Sequence, residues 1–247
     1  MVGAPAAADA VVRARRLPRL RVGLHLVVVN GRPVLPPDQV PDLVGADGAF
    51  PADLARAGVR YFFLPAARAQ LAREIRAQFE AFRATGLALD HVNAHCHMQL
   101  HPTIGRMMLE IGRDYGMRAV RIPAEPSALL RQAGAAPAER AFAMAHAPLA
   151  AVLRRRARAA GIASNDRLLG LGWTGSMTEA RLLRLLEALP DGVSEIYLHP
   201  AAARTAPLVA AMPSYRQTEE LDALVSPAVR QRVAALGIAL GGYGDLG

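Results

Sequence analysis

The chain has 247 residues, 52% of them hydrophobic and 5% aromatic, which is enough apolar material for one large α/β domain with an aliphatic core. The formal net charge is +8, but every basic residue is arginine and the arginines are spread along the chain. That pattern follows from a GC-rich coding sequence and argues against a nucleic-acid partner. A single cysteine excludes an internal disulfide framework, and no apolar run reaches the roughly 18 residues of a membrane span.

Met1 to Ala10 is apolar, but Arg13, Arg15 and Arg16 follow it, the wrong order for a signal peptide. A cytoplasmic protein is expected, with peripheral contact to an anionic membrane surface left open. Arg21 to Val29 reads as a strand that ends at the Asn30-Gly31 turn. Val34 to Phe50 reads as a long Pro/Gly/Asp-rich loop, a lid or rim. Apolar residues at helical spacing (Leu71, Ile75, Phe79, Phe82) predict a helix over Ala66–Thr85, capped by Gly86.

Leu87 to His95 is a second strand, Pro102 opens a helix over Thr103–Tyr115, and Met117 to Ile122 is a third strand. A long Ala/Arg helix covers 138–160 and carries the tight cluster Arg154, Arg155, Arg156 and Arg158, read as a solvated face. Then come a strand near Leu168–Leu171, a helix over Ser176–Leu189, a strand over Ser194–His199 and one or two helices over Thr218–Leu236. Ile238 to Tyr243 is expected to be the last strand. Repeated β-then-α units predict an α/β fold with a parallel sheet or barrel, whose chemistry gathers at the carboxyl ends of the strands.

The histidines fall at those ends. His91, His95, His97 and His101 lie within eleven residues, beside Asp90 and Asn93. On a strand, alternate residues share a face, so His95 and His97 are expected to project together while Cys96 points away into the protein. Clustered imidazoles suit a divalent metal. His25, in an apolar strand, gains meaning as a partner for that cluster. Glu195, Tyr197 and His199 are expected to share one strand face, a set suited to general acid chemistry.

Gly23-Leu24-His25-Leu26, Asp90 to His97 with Pro102, and Glu195 to Pro200 together resemble the YdjC-like (ChbG-like) carbohydrate deacetylases. The match is closest to the branch associated with hopanoid biosynthesis (HpnK-like). The resemblance implies a distorted β/α barrel, one domain over 1–247, and hydrolysis of an N-acetyl group on an amino sugar, plausibly lipid-linked. It also implies a divalent metal, Mg or Zn, with His25 and His95 as ligands and His199 as the general acid. His97, Arg121 and Tyr197 would shape the substrate site. Deacetylation of soluble chito-oligosaccharides and an inactive binding remnant of the fold are the alternatives.

The family's first strand ends in an aspartate pair, one member a metal ligand and the other a base. Met1 to Pro5 resembles the segment after that unit, so an N-terminally truncated domain without its first βα unit is expected, with a start codon assigned too far downstream favoured over a natural truncation. Asp9 falls in a helical pattern and is no replacement. Gln99 stands where many relatives carry another histidine, and Trp173 reads as a core residue.

Overall fold

A computed structural model describes residues 1–246. In chain order, α1 (Ala7–Arg15) precedes β1 (Leu24–Leu26), and α2 (Leu54–Phe63) and α3 (Pro65–Ala84) lead to β2 (Val92–Ala94). Next come α4 (Pro102–Asp114), β3 (Ala119–Val120), α5 (Ser127–Gln132) and α6 (Pro137–Ala159). The short strands β4 (Ala163–Ser164) and β5 (Arg167–Leu169) precede α7 (Glu179–Ala188) and β6 (Ser194–Ile196). Helices α8 (Ala206–Ala211), α9 (Gln217–Val225) and α10 (Pro227–Ala235) complete the series.

Contacts gather the chain into two compact units, and the first holds residues 1–122, 149–164 and the C-terminal residues from Gly242. Its sheet is parallel throughout, in the order β1-β2-β3-β4. Leu24, Leu26, Val92 and Val120 are buried from the strands, and Leu71, Ile75 and Phe79 meet them from α3. Each such side chain stabilises the unit by about 1.5–3 kcal/mol. The same helix buries Gln70, Glu74 and Gln78 one turn apart. Glu74 accepts from the Val34 and Leu35 amides, Gln78 bridges both backbone groups of Val27, and Gln70 accepts from the Asp42 amide. The loop read as a lid is therefore tied to α3 along its first half.

The second unit holds residues 123–148 and 165–241, with β5 and β6 paired in parallel. Its core joins Leu130, Leu169, Trp173, Met177, Leu182, Leu185 and Leu186 to Ala223 and Val229. Trp173 is a core residue, as its sequence context suggests. Glu125 is buried here and accepts the amides of Gly170, Leu171 and Gly172 at 2.6, 2.9 and 3.0 Å, closing the turn that follows β5.

The α/β class with parallel strands matches expectation, but the strands are shorter than their apolar runs. Pairing continues past the β1–β2 ladder through single bonds such as Asp90 N–H to the Val22 carbonyl. One strand is absent. Residues 238–242 run without a ladder into a 3-10 turn at Tyr243–Asp245, because the amides of Gly242, Tyr243 and Gly244 donate to aspartate carboxylates instead. Among the described residues no helix is long and apolar enough to cross a membrane.

Candidate active site

The parallel register sets Leu24 against Val92, His25 against Asn93 and Leu26 against Ala94. His25 and Asn93 thus project from the same face of neighbouring strands, with His25 Nδ1 2.5 Å from Asn93 Oδ1. His95 is the first residue after β2, and its Nδ1 lies 3.4 Å from His25 Nε2, the rings meeting edge to face at 5.6 Å. Burial above all pushes the His25 pKa down, to about 3; the bond to Asn93 works against it, and the positive charges of the N-terminus and Arg121 add to the lowering. Burial also lowers that of His95. Both rings are therefore neutral near pH 7, the form that binds metal.

The spacing of the two nitrogens lets both reach one metal ion. Two nitrogens on one tetrahedral Zn²⁺, each at roughly 2.0–2.1 Å, stand roughly 3.3 Å apart. The observed 3.4 Å matches that edge. Among the described residues no group of three or more His, Cys, Asp or Glu side chains is placed to hold a metal ion, so the pair supplies two donors.

After His95 the strand expectation fails. Cys96 and His97 both adopt left-handed backbone, with φ of 51° and 55°. This conformation costs roughly 1–2 kcal/mol for a side-chain-bearing residue, and such strain gathers at functional sites. Strand alternation does not apply there, and Cys96 is exposed rather than turned into the protein. His97 is half-buried on the same turn. Gln99, buried behind it, accepts from the Ala94 amide at 3.1 Å and donates to the Arg121 carbonyl at 3.5 Å. Its amide serves the backbone, and Arg121 is thereby held at the end of β3, close enough for its charge to be felt at His25.

In the second unit Tyr197 and His199 follow β6. Their rings meet edge to face at 4.7 Å, and Tyr215 approaches His199 at 5.0 Å. The Tyr197 hydroxyl lies 3.2 Å from Thr174 Oγ1. The His199 amide donates to buried Glu220, whose other oxygen accepts the Met177 amide at 2.9 Å. An imidazole held between two tyrosines beyond a strand end is suited to delivering a proton.

The residues that sequence reading undervalued are Asn93, Asp90, His91 and Tyr243. The first three were visible as neighbours of the histidines, but only strand register shows that Asn93 stands behind His25. Tyr243 carried no signal, because its segment reads as a strand.

A carbohydrate deacetylase of Geobacillus stearothermophilus is 27% identical over 241 residues, covering 97% of this chain and 82% of that protein. One of Mus musculus is 30% identical over 272 residues, covering 100% and 84%. One of Vibrio vulnificus (strain CMCP6) reaches 40% over 115 residues, covering 47% and 43%. A crystal structure from Enterococcus faecalis V583, described as a candidate cellobiose-phosphate cleavage protein, superposes with a TM-score of 0.74. It is 20% identical and covers 100% of this chain and 85% of that one, a likeness of fold that agrees with a distorted β/α barrel. With residues 1–235 matched by its family description, the chain belongs to the YdjC-like protein family.

Proposed function

We propose that the chain is a metal-dependent carbohydrate deacetylase that removes an N-acetyl group from an amino sugar, with a lipid-linked N-acetylglucosaminyl substrate of the hopanoid type. The observation that carries this reading is the pair His25 and His95, two neutral imidazoles with nitrogens at the spacing of one metal's ligands. The family and its relatives named carbohydrate deacetylase support the substrate class.

In this reading His25 and His95 hold a divalent ion, Zn²⁺ or Mg²⁺. Such an ion would supply polarisation of the acetyl carbonyl and a lowered pKa for water. His199 donates a proton to the departing amine nitrogen, and Tyr197 against its ring fixes the direction of that proton. His97 and Arg121 line the sugar site, Arg121 as a permanent cation with several donors for hydroxyl groups. The reading adds peripheral contact with the inner membrane to a cytoplasmic location. Support comes from α2, which exposes Val59 at 60%, Phe62 at 46% and Phe63 at 67% beside Arg56. Such a cluster on a charged helix suits a lipid interface.

The test is acetate release from an N-acetylglucosaminyl lipid and from soluble chito-oligosaccharides, with Zn²⁺ or Mg²⁺ added. It is run on the 247-residue chain. Release from the lipid confirms the whole reading. Release from the soluble sugar alone replaces the lipid with the oligosaccharide alternative. No release from either substrate leaves a non-catalytic sugar- or lipid-binding protein.

A further inference from the structure

Behind His25 runs a line of hydrogen bonds that starts at the chain's C-terminal turn. Residues 241–245 read Gly-Gly-Tyr-Gly-Asp. The Tyr243 and Gly244 amides donate to the buried Asp90 carboxylate at 3.2 and 2.9 Å. The turn is closed by the Gly242 amide on Asp245 Oδ2 and by the ion pair of Arg21 with Asp245, both at 2.7 Å. A Cβ on Gly242 would stand 2.8 Å from Asp90 Oδ1 and 2.3 Å from Arg21 Cγ, so only glycine allows this approach.

The line continues through a fixed sequence of donors and acceptors. Ionised Asp90 only accepts, so the 2.8 Å contact to Oδ2 places the His91 proton on Nδ1. The Tyr243 ring lies over the same imidazole, centroids 4.5 Å apart. The Nε2 lone pair of His91 then faces Asn93 Nδ2 at 3.4 Å, which sets the amide so that Oδ1 points at His25. An amide oxygen also only accepts, so His25 is protonated on Nδ1 and turns a bare Nε2 toward His95.

The structure assigns to this line, Asp90–His91–Asn93 clamped by the C-terminal turn, the task of selecting the His25 tautomer that can ligate a metal. Asp90, His91, Asn93 and Tyr243 are positioning residues, since each acts on the site through the next. A neutral imidazole left alone samples both tautomers, and ligation through Nε2 requires the one protonated on Nδ1. The inference rests on the metal-site reading of His25 and His95, but the tautomer itself can be read without metal.

The test is the long-range ¹H–¹⁵N correlation spectrum of the histidines in the metal-free full chain, with Zn²⁺ titration beside it. Wild type is expected to show His25 protonated on Nδ1. Asp90→Asn puts a donor where Oδ2 accepts, and Gly242→Ala pushes the turn off Asp90. Both variants are expected to populate the other His25 tautomer and to weaken Zn²⁺ binding by roughly 10- to 100-fold. Circular dichroism checks that each is folded, and Gly242→Ala stands in if Asp90→Asn is not. A folded variant with the wild-type His25 tautomer overturns the inference. A wild-type chain that binds no Zn²⁺ counts against the metal reading alone, because the metal-free spectra still decide the tautomer.

Discussion

Gly23 and the His91 ring pack so closely that a Cβ on Gly23 would stand 2.6 Å from His91 Cε1 and 2.8 Å from Nδ1. The Gly23-Leu24-His25-Leu26 motif thus carries its glycine for His91 on the neighbouring strand segment. Gly23→Ala is expected to displace that ring and to destabilise the chain by about 1–3 kcal/mol, read from the urea midpoint at constant slope. An unchanged midpoint would mean that the ring relaxes at no cost.

Stability should depend on pH through His25. Its folded pKa is about 3 against an ordinary 6.5. Between these values the unfolded chain binds a proton that the folded chain does not. The contribution is therefore complete above pH 6.5 and is lost as pH falls toward 3, at about 1.4 kcal/mol per unit. Urea unfolding of the metal-free protein at pH 7 and pH 5 should show this slope, and His25→Asn should flatten it. Equal slopes in the two proteins would show that His25 is not held neutral.

Glu125 gathers three amides of one turn. Glu125→Ala leaves those buried donors unanswered and is expected to cost about 2–4 kcal/mol, whereas Glu125→Gln keeps an acceptor and should cost less. Thermal unfolding of both variants checks the order. A Gln variant as unstable as the Ala one would mean that the charge, rather than the acceptor, holds the turn.

The exposed face of α2 offers a test of lipid contact that spares His25, His95 and His199. Phe62 lies 6.1 Å from the His101 ring, and Tyr61 beside it anchors the helix through the Val28 carbonyl at 2.7 Å. Phe62→Ser with Phe63→Ser is expected to reduce sedimentation with anionic vesicles several-fold while leaving turnover of a soluble substrate unchanged. Vesicle binding that does not change would remove α2 from any membrane contact.

Much of this was legible in the sequence. The βα alternation, the cap at Gly86, the helix opened by Pro102 and the core place of Trp173 follow from local pattern and bulk. The candidate site was legible in part, because His25 and His95 stand out as histidines at strand ends. Their hydrogen-bond partners did not stand out, since strand register and the fold of the C-terminal turn are long-range properties. Two errors share a cause. Cys96 and the segment 238–243 were assigned by strand periodicity, but a left-handed turn governs the first and aspartate carboxylates claim the amides of the second.

The most direct measurement is Zn²⁺-dependent acetate release from an N-acetylglucosaminyl substrate by wild type and by His95→Ala. Release that is abolished by a chelator, restored by Zn²⁺ and lost in His95→Ala is the predicted result. Release that survives both the chelator and the substitution would contradict a metal held by His25 and His95.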